Sequence, residues 1–228
     1  MNTLPSFELA LAQGAHGLEL DVHRSKDGAV VVIHDFAVDA TTNGGGIVSE
    51  MTLAELKALD AGSWFSSDYA GVQIPTLDEV FEAVGQRTIV NVEIKSLFTD
   101  ATDGVEQAVA ECILRHGMGE RVFVSSFNPY TLLRFRGILP EVAIGVLHDK
   151  LVPVDTFGIL GDTAYEAFHP QHTSITPEMV QETHAQGRVL NTWTVNAPTD
   201  AQRLQAWGVD CIITDKPDVI LDALEGGG

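Results

Sequence analysis

Short β-branched runs alternate with helical segments along most of the chain, and this alternation limits the fold more than any other feature. The runs are residues 18–22, 30–34, 89–94, 122–126, 143–147, 167–169, 189–195 and 211–214. Thr52 with Glu55 and Thr76 with Glu79 read as capping boxes ahead of apolar stripes. Gly85 and Gly187 stand where left-handed helix caps belong, and Pro177 and Pro217 occupy first-turn positions. Repeated strand–helix units imply a parallel sheet. No glycine-rich dinucleotide fingerprint follows the first run, which weakens an open doubly wound sheet. Polar residues instead gather at the C-terminal ends of the runs: His34-Asp35, Glu93 and Lys95, Ser125-Ser126, His169, Trp193 and Thr214-Asp215. In a (β/α)8 barrel that rim carries the chemistry, so a TIM-type α/β barrel is expected.

Two irregularities modify it. Lys26-Asp27-Gly28 is too short for a parallel crossover, which takes about a dozen residues, so residues 18–34 should form a hairpin. Counting that hairpin as one unit leaves seven strand–helix units. Residues 58–75 form a long loop holding Trp64, Phe65 and Tyr69, either a lid or a packed surface loop.

The 228 residues, 45% hydrophobic, suffice for one core, and a single domain over 1–228 is expected. With 32 acidic and 13 basic residues the net charge is −19. Such a surface repels nucleic acid and anionic membranes. An anionic ligand would need local positive charge from a metal or a few side chains. Cys112 and Cys211 lack metal-ligand spacing and read as buried thiols. No run has the length of a membrane span and no secretory signal is visible, so the expected compartment is cytoplasmic. The three closing glycines read as disordered.

Within GLELDVHRSKDGAVVVIHD (residues 17–35), Glu19 and Asp21 share one strand face, and His23 joins them if the strand runs on. Glu93 shares a face with Asn91 and Lys95. Carboxylates at neighbouring strand ends repel one another unless something cationic lies between them. Oxygen ligands favour a hard divalent ion, Ca²⁺ or Mg²⁺; solvent exposure or pairing with Lys95 would also explain them. His34 ends a strand and could exchange protons near neutral pH; a structural role is the alternative. Phe127 and Trp193 lie beside strand ends, as core packing or as walls of a substrate groove. His116, His148, His172 and His184 read as surface residues.

The stretch 17–35, followed by TTNGGG, TLAELKALDAGSWF, IPTLDEV, NVEIK, VSSFNP, WTVN and GVDCIITDKP, resembles the glycerophosphodiester phosphodiesterase family in order along nearly the whole chain. The resemblance implies a distorted TIM barrel and metal ligation by Glu19, Asp21 and Glu93. It makes His34 one of two catalytic histidines and places Lys95 near the phosphate. It also implies small glycerophosphodiester substrates cleaved to an alcohol and glycerol 3-phosphate. Family members begin with a strand ending in His-Arg-Gly and a loop with Pro-Glu-Asn-Thr, whereas this sequence opens Met1-Asn2-Thr3. The first strand, the second histidine and an arginine are therefore expected to be missing. The alternative function is an impaired protein that keeps only metal or ligand binding. Ala40 stands where the family often has arginine.

Overall fold

Residues 17–24 alternate apolar and polar side chains, and around the strand they form the sheet is assembled. The computed structural model describes residues 1–152 and 154–226; two of the closing glycines, Gly227 and Gly228, lie outside them. The first half of the chain runs α1 (Leu4–Ala12), β1 (Gly17–Arg24), β2 (Val30–Val32), α2 (Leu53–Lys57), α3 (Leu77–Val84), β3 (Ile89–Ile94), α4 (Val105–Arg115), β4 (Val122–Ser126) and α5 (Pro129–Ile138). It continues through β5 (Ala143–His148), α6 (Thr156–Leu160), β6 (Ala167–Pro170), α7 (Pro177–Ala185), β7 (Val189–Thr192), α8 (Pro198–Trp207), β8 (Cys211–Ile212) and α9 (Pro217–Glu225). One sheet has the order β2-β1-β3-β4-β5-β6-β7-β8. β1 and β3 to β8 pair in parallel, and β2 folds back antiparallel on β1. The expected hairpin is present: Ser25 N–H donates to the Ala29 carbonyl at 2.8 Å, and Gly28 turns the chain at φ +96°.

The sheet has two chemically different faces. Leu18, Leu20, Val22, Val90, Val92 and Ile94 are buried against Phe81, Val109, Ile113, Leu132 and Phe135 of the helices. Each such side chain contributes about 1.5–3 kcal/mol when fully buried, so this layer can carry a polar opposite face. On that face Ser125 donates to Asn91 at 2.8 Å, and Asn191 meets His169 Nε2 at 3.0 Å. The inner face is concave, because side chains meet across intervening strands. Phe123 of β4 packs on His169 of β6 with ring centroids 5.6 Å apart. Phe127, just past β4, packs on Trp193, just past β7, at 5.4 Å. The fold is a distorted TIM-type barrel. Among the described residues no ladder joins β8 to β1, and β1 pairs on that side only with the short β2. There Asp21 N–H donates to the Asn2 side-chain oxygen at 3.2 Å.

Several expectations need correction. β2, β7 and β8 end at Val32, Thr192 and Ile212, short of 34, 195 and 214, because the chain bends into loops at the mouth. Ser125 and His169 are not rim residues; both have 0% exposure inside the barrel. His116, His148 and His172 are half-buried, and His116 donates to Asp78 at 2.7 Å. Cys112 is buried, but Cys211 is exposed on the edge strand. The loop over 58–75 is internally bonded. The Asp60 carboxylate accepts from the Gly62, Ser63 and Gly71 amides at 2.9 Å each and from the Ser63 hydroxyl at 2.6 Å.

Candidate active site

Register brings the acidic residues together. Asp21 of β1 lies directly opposite Glu93 of β3, and Glu19 opposite Asn91. Like charges facing across a ladder are destabilising unless compensated. Carboxylate oxygens of Glu19, Asp21 and Glu93 lie within 4.8 Å of one another. One cation meets them: Lys95 Nζ lies 2.9 Å from Glu93 and 3.3 Å from Asp21. Its third contact is His34 Nε2, at 3.3 Å. An ammonium has three donors, and these three partners take them. Asn2, in left-handed backbone at φ +57°, donates its side-chain amide to Asp21 at 2.7 Å.

The charges are unbalanced. Glu19 keeps partial exposure at the mouth, yet the protein packed around it, then Asp21 and Glu93, hold its pKa well above the ordinary carboxylate value. Burial pushes Glu93 up to about 7, with Lys95 opposing and Asp21 reinforcing the shift. Burial works against charge on Lys95, but Glu93 and Asp21 outweigh it and raise its pKa. Three carboxylates against one ammonium would leave two negative charges when all ionise, which a divalent ion would neutralise. The donor set is all oxygen, as hard cations require. Glu19, Asp21 and Glu93 therefore fit such an ion.

His34 lies beside this cluster with a side chain 52% exposed, and its Nδ1 meets Asp35 at 2.7 Å. With Nδ1–H donated to Asp35, Nε2 is left as the acceptor facing Lys95. His23 does sit on the inner face, because β1 runs to Arg24. Its Nε2 contacts the His34 carbonyl at 3.1 Å and its ring packs on Phe36 at 4.9 Å. Phe127 and Trp193 are half-buried and meet edge to face, with Trp193 Nε1–H donating to the His169 carbonyl at 2.9 Å. The structure thus gathers Glu19, Asp21, Glu93, Lys95 and His34, and pairs Phe127 with Trp193. Asn2 was not singled out from sequence; the Asn-Thr dipeptide shared with the family's opening motif was the available signal.

A TIM-type barrel with carboxylates, a lysine and a histidine converging at its strand C-termini defines a barrel-mouth site. Comparison with known proteins narrows this. Residues 1–219 match the model of the glycerophosphoryl diester phosphodiesterase family. A glycerophosphodiester phosphodiesterase of Caldanaerobacter subterraneus subsp. tengcongensis is 42% identical over 228 residues, covering 100% of this chain and 93% of that protein. One from Bacillus altitudinis is 37% identical over 222 residues, covering 95% and 89%. The structure of an Oleispira antarctica phosphodiesterase in complex with the product sn-glycerol-3-phosphate superposes with a TM-score of 0.88 at 32% identity, covering 98% of this chain and 91% of that one. The chain belongs to the glycerophosphoryl diester phosphodiesterase family.

Proposed function

We propose that this protein hydrolyses small glycerophosphodiesters, such as glycerophosphocholine or glycerophosphoethanolamine, to an alcohol and glycerol 3-phosphate. The observation that carries the reading is Lys95, whose ammonium contacts both the carboxylate cluster and His34. Glu19, Asp21 and Glu93 hold a divalent ion, Ca²⁺ or Mg²⁺, which when bound supplies positive charge against the phosphodiester. Lys95 adds a donor to a phosphate oxygen. Turning a donor from His34 to the phosphate frees His34 Nε2, so substrate arrival uncovers the proton-exchanging nitrogen. Asp35 fixes the tautomer that this requires. His34 then takes a proton from the attacking hydroxyl or gives one to the leaving oxygen. Phe127 and Trp193 form an apolar wall for the carbon skeleton of the substrate. The loop over 58–75 borders the mouth as a lid whose own hydrogen bonds hold its shape. Cys112 and Cys211 are both unpaired, which supports a cytoplasmic setting. No helix among the described residues is long and apolar enough to cross a membrane.

Release of glycerol 3-phosphate from these diesters tests the reading. His34→Ala should lower the rate by about 10²–10⁴-fold. No release by the parent protein, or equal release by His34→Ala, would overturn it. A second reading, binding without turnover, is favoured by the open side of the sheet, where among the described residues β8 has no second partner and β1 pairs with β2 only from Val22 to Arg24. Saturable ion binding with no product at any ion concentration would select it.

A further inference from the structure

A groove of about 330 Å³ opens beside Lys95 and is walled by the end of β1, Phe36, Ser49 and the segment between β3 and α4. We propose that it holds the alcohol substituent of the diester and selects hydroxyl-bearing, uncharged alcohols over cationic ones. The proposal rests on the phosphodiesterase reading, since Lys95 and His23 line both the groove and the catalytic mouth. A phosphate held at Lys95 therefore has one substituent within reach of the groove. The volume falls in the range that suits small ligands.

The hydrogen-bonding groups of the groove decide the class of alcohol. The whole chain has only 13 basic residues, and Arg24, Lys95 and Arg134 all line this groove. Among the described residues, one of its two acids is paired with a cation and the other is not. Buried Glu106 accepts from Arg134 at 2.8 Å and from Thr102 at 2.5 Å, and Asp103 accepts the Val105 amide at 3.0 Å. Arg24 donates one nitrogen to the Asp103 carbonyl at 2.6 Å, and its other guanidinium nitrogens have no hydrogen-bond acceptor among the described residues. A quaternary ammonium placed here would face Arg24, could pair only with the exposed Asp103 carboxylate, and has no O–H or N–H to offer the hydroxyls of the groove. A polyol meets better partners. The Ser49 hydroxyl has no partner among the described residues, and Thr99 Oγ1 only accepts, from the Ala101 amide at 3.3 Å. Both hydroxyls can donate to an alcohol, as can Arg24.

The walls are also held in place before any ligand arrives. Asn128 donates to the Leu97 and Thr99 carbonyls at 2.6 and 3.0 Å. Arg134 donates to the Asp100 and Ala101 carbonyls at 3.0 and 3.4 Å. Binding then costs little ordering of this segment.

The test compares kcat/KM for glycerophosphoglycerol and glycerophosphocholine in the parent protein, Arg24→Glu and Arg24→Met. The parent should favour the glycerol diester by about tenfold, one factor of ten in affinity terms. Arg24→Glu should erase that preference through improved use of the choline diester, with Arg24→Met intermediate. Melting curves establish that each variant is folded, and Arg24→Met carries the test alone if Arg24→Glu is not. A parent preference for the choline diester, or a ratio unmoved in the folded variants, overturns the groove assignment alone. No turnover of either diester by the parent overturns the phosphodiesterase reading and the groove assignment with it.

Discussion

Lys95 separates two carboxylates that the ladder forces to face each other, and removing it exposes that conflict. Lys95→Met leaves Asp21 and Glu93 opposed without a cation. Breaking a buried pair of this kind costs about 3–5 kcal/mol. Denaturant unfolding in ion-free buffer should show that loss, and excess Mg²⁺ should shrink it by replacing the missing charge. An equal loss with and without Mg²⁺ would mean that the carboxylates hold no ion. Much of this residue-level picture was legible in sequence. A strand has period two, so Glu19 and Asp21 had to share a face, and Glu93 and Lys95 likewise. Asn2 was not legible, because its contact with Asp21 spans nineteen positions and depends on one left-handed residue.

At the level of elements, close approaches fix the register and the loops. A Cβ on Gly62 would come 1.9 Å from the Tyr69 carbonyl, so Gly62→Ala must push the Asp60-bonded loop apart. Such overpacking costs about 1–3 kcal/mol, and a lowered melting temperature with faster proteolytic cleavage near residues 60–71 should follow. Inside the barrel, β5 and β6 meet through Gly145, where a Cβ would sit 2.6 Å from His169 Nε2. His169 is fully buried, its Nδ1 has no hydrogen-bond partner, and burial pushes its pKa down to about 3. The unfolded chain, with an ordinary histidine near 6.5, binds a proton that the folded chain refuses. The stability linked to His169 is therefore complete above about pH 6.5 and is lost as pH falls toward 3, by up to about 1.4 kcal/mol per pH unit. Urea unfolding between pH 6.5 and 5 should fall less steeply in His169→Gln than in the parent. Glu19 and Glu93 are present in both proteins, so the difference isolates His169; equal slopes would contradict this account. The hairpin and the capping boxes were readable because each is set by a few adjacent residues. The burial of His169 was not, since it depends on how far the sheet curls.

Across the whole molecule, the sheet is strongest in the middle and weakest at its open side. β3 is paired on both sides, whereas among the described residues β8 pairs over two residues with β7 alone. Native-state hydrogen exchange should find the Val92 and Val124 amides among the slowest and those of Cys211 and Ile212 among the fastest in strands. Equal protection of β8 would imply a partner for its free edge. The alternation of strands and helices sufficed to read the barrel, and the short hairpin sufficed to read seven strand–helix units. The meeting of Phe127 with Trp193 was beyond it, because these residues come from strand ends with two other strands between them. The central claim is that a divalent ion on Glu19, Asp21 and Glu93 works with Lys95 and His34 to cleave a phosphodiester. The most direct measurement is glycerol 3-phosphate release from glycerophosphoethanolamine while Ca²⁺ or Mg²⁺ is titrated into chelator-stripped protein. The account predicts no release without ion and a saturable rise as one site fills. Release that is indifferent to chelation, or absent at every ion concentration, would contradict it.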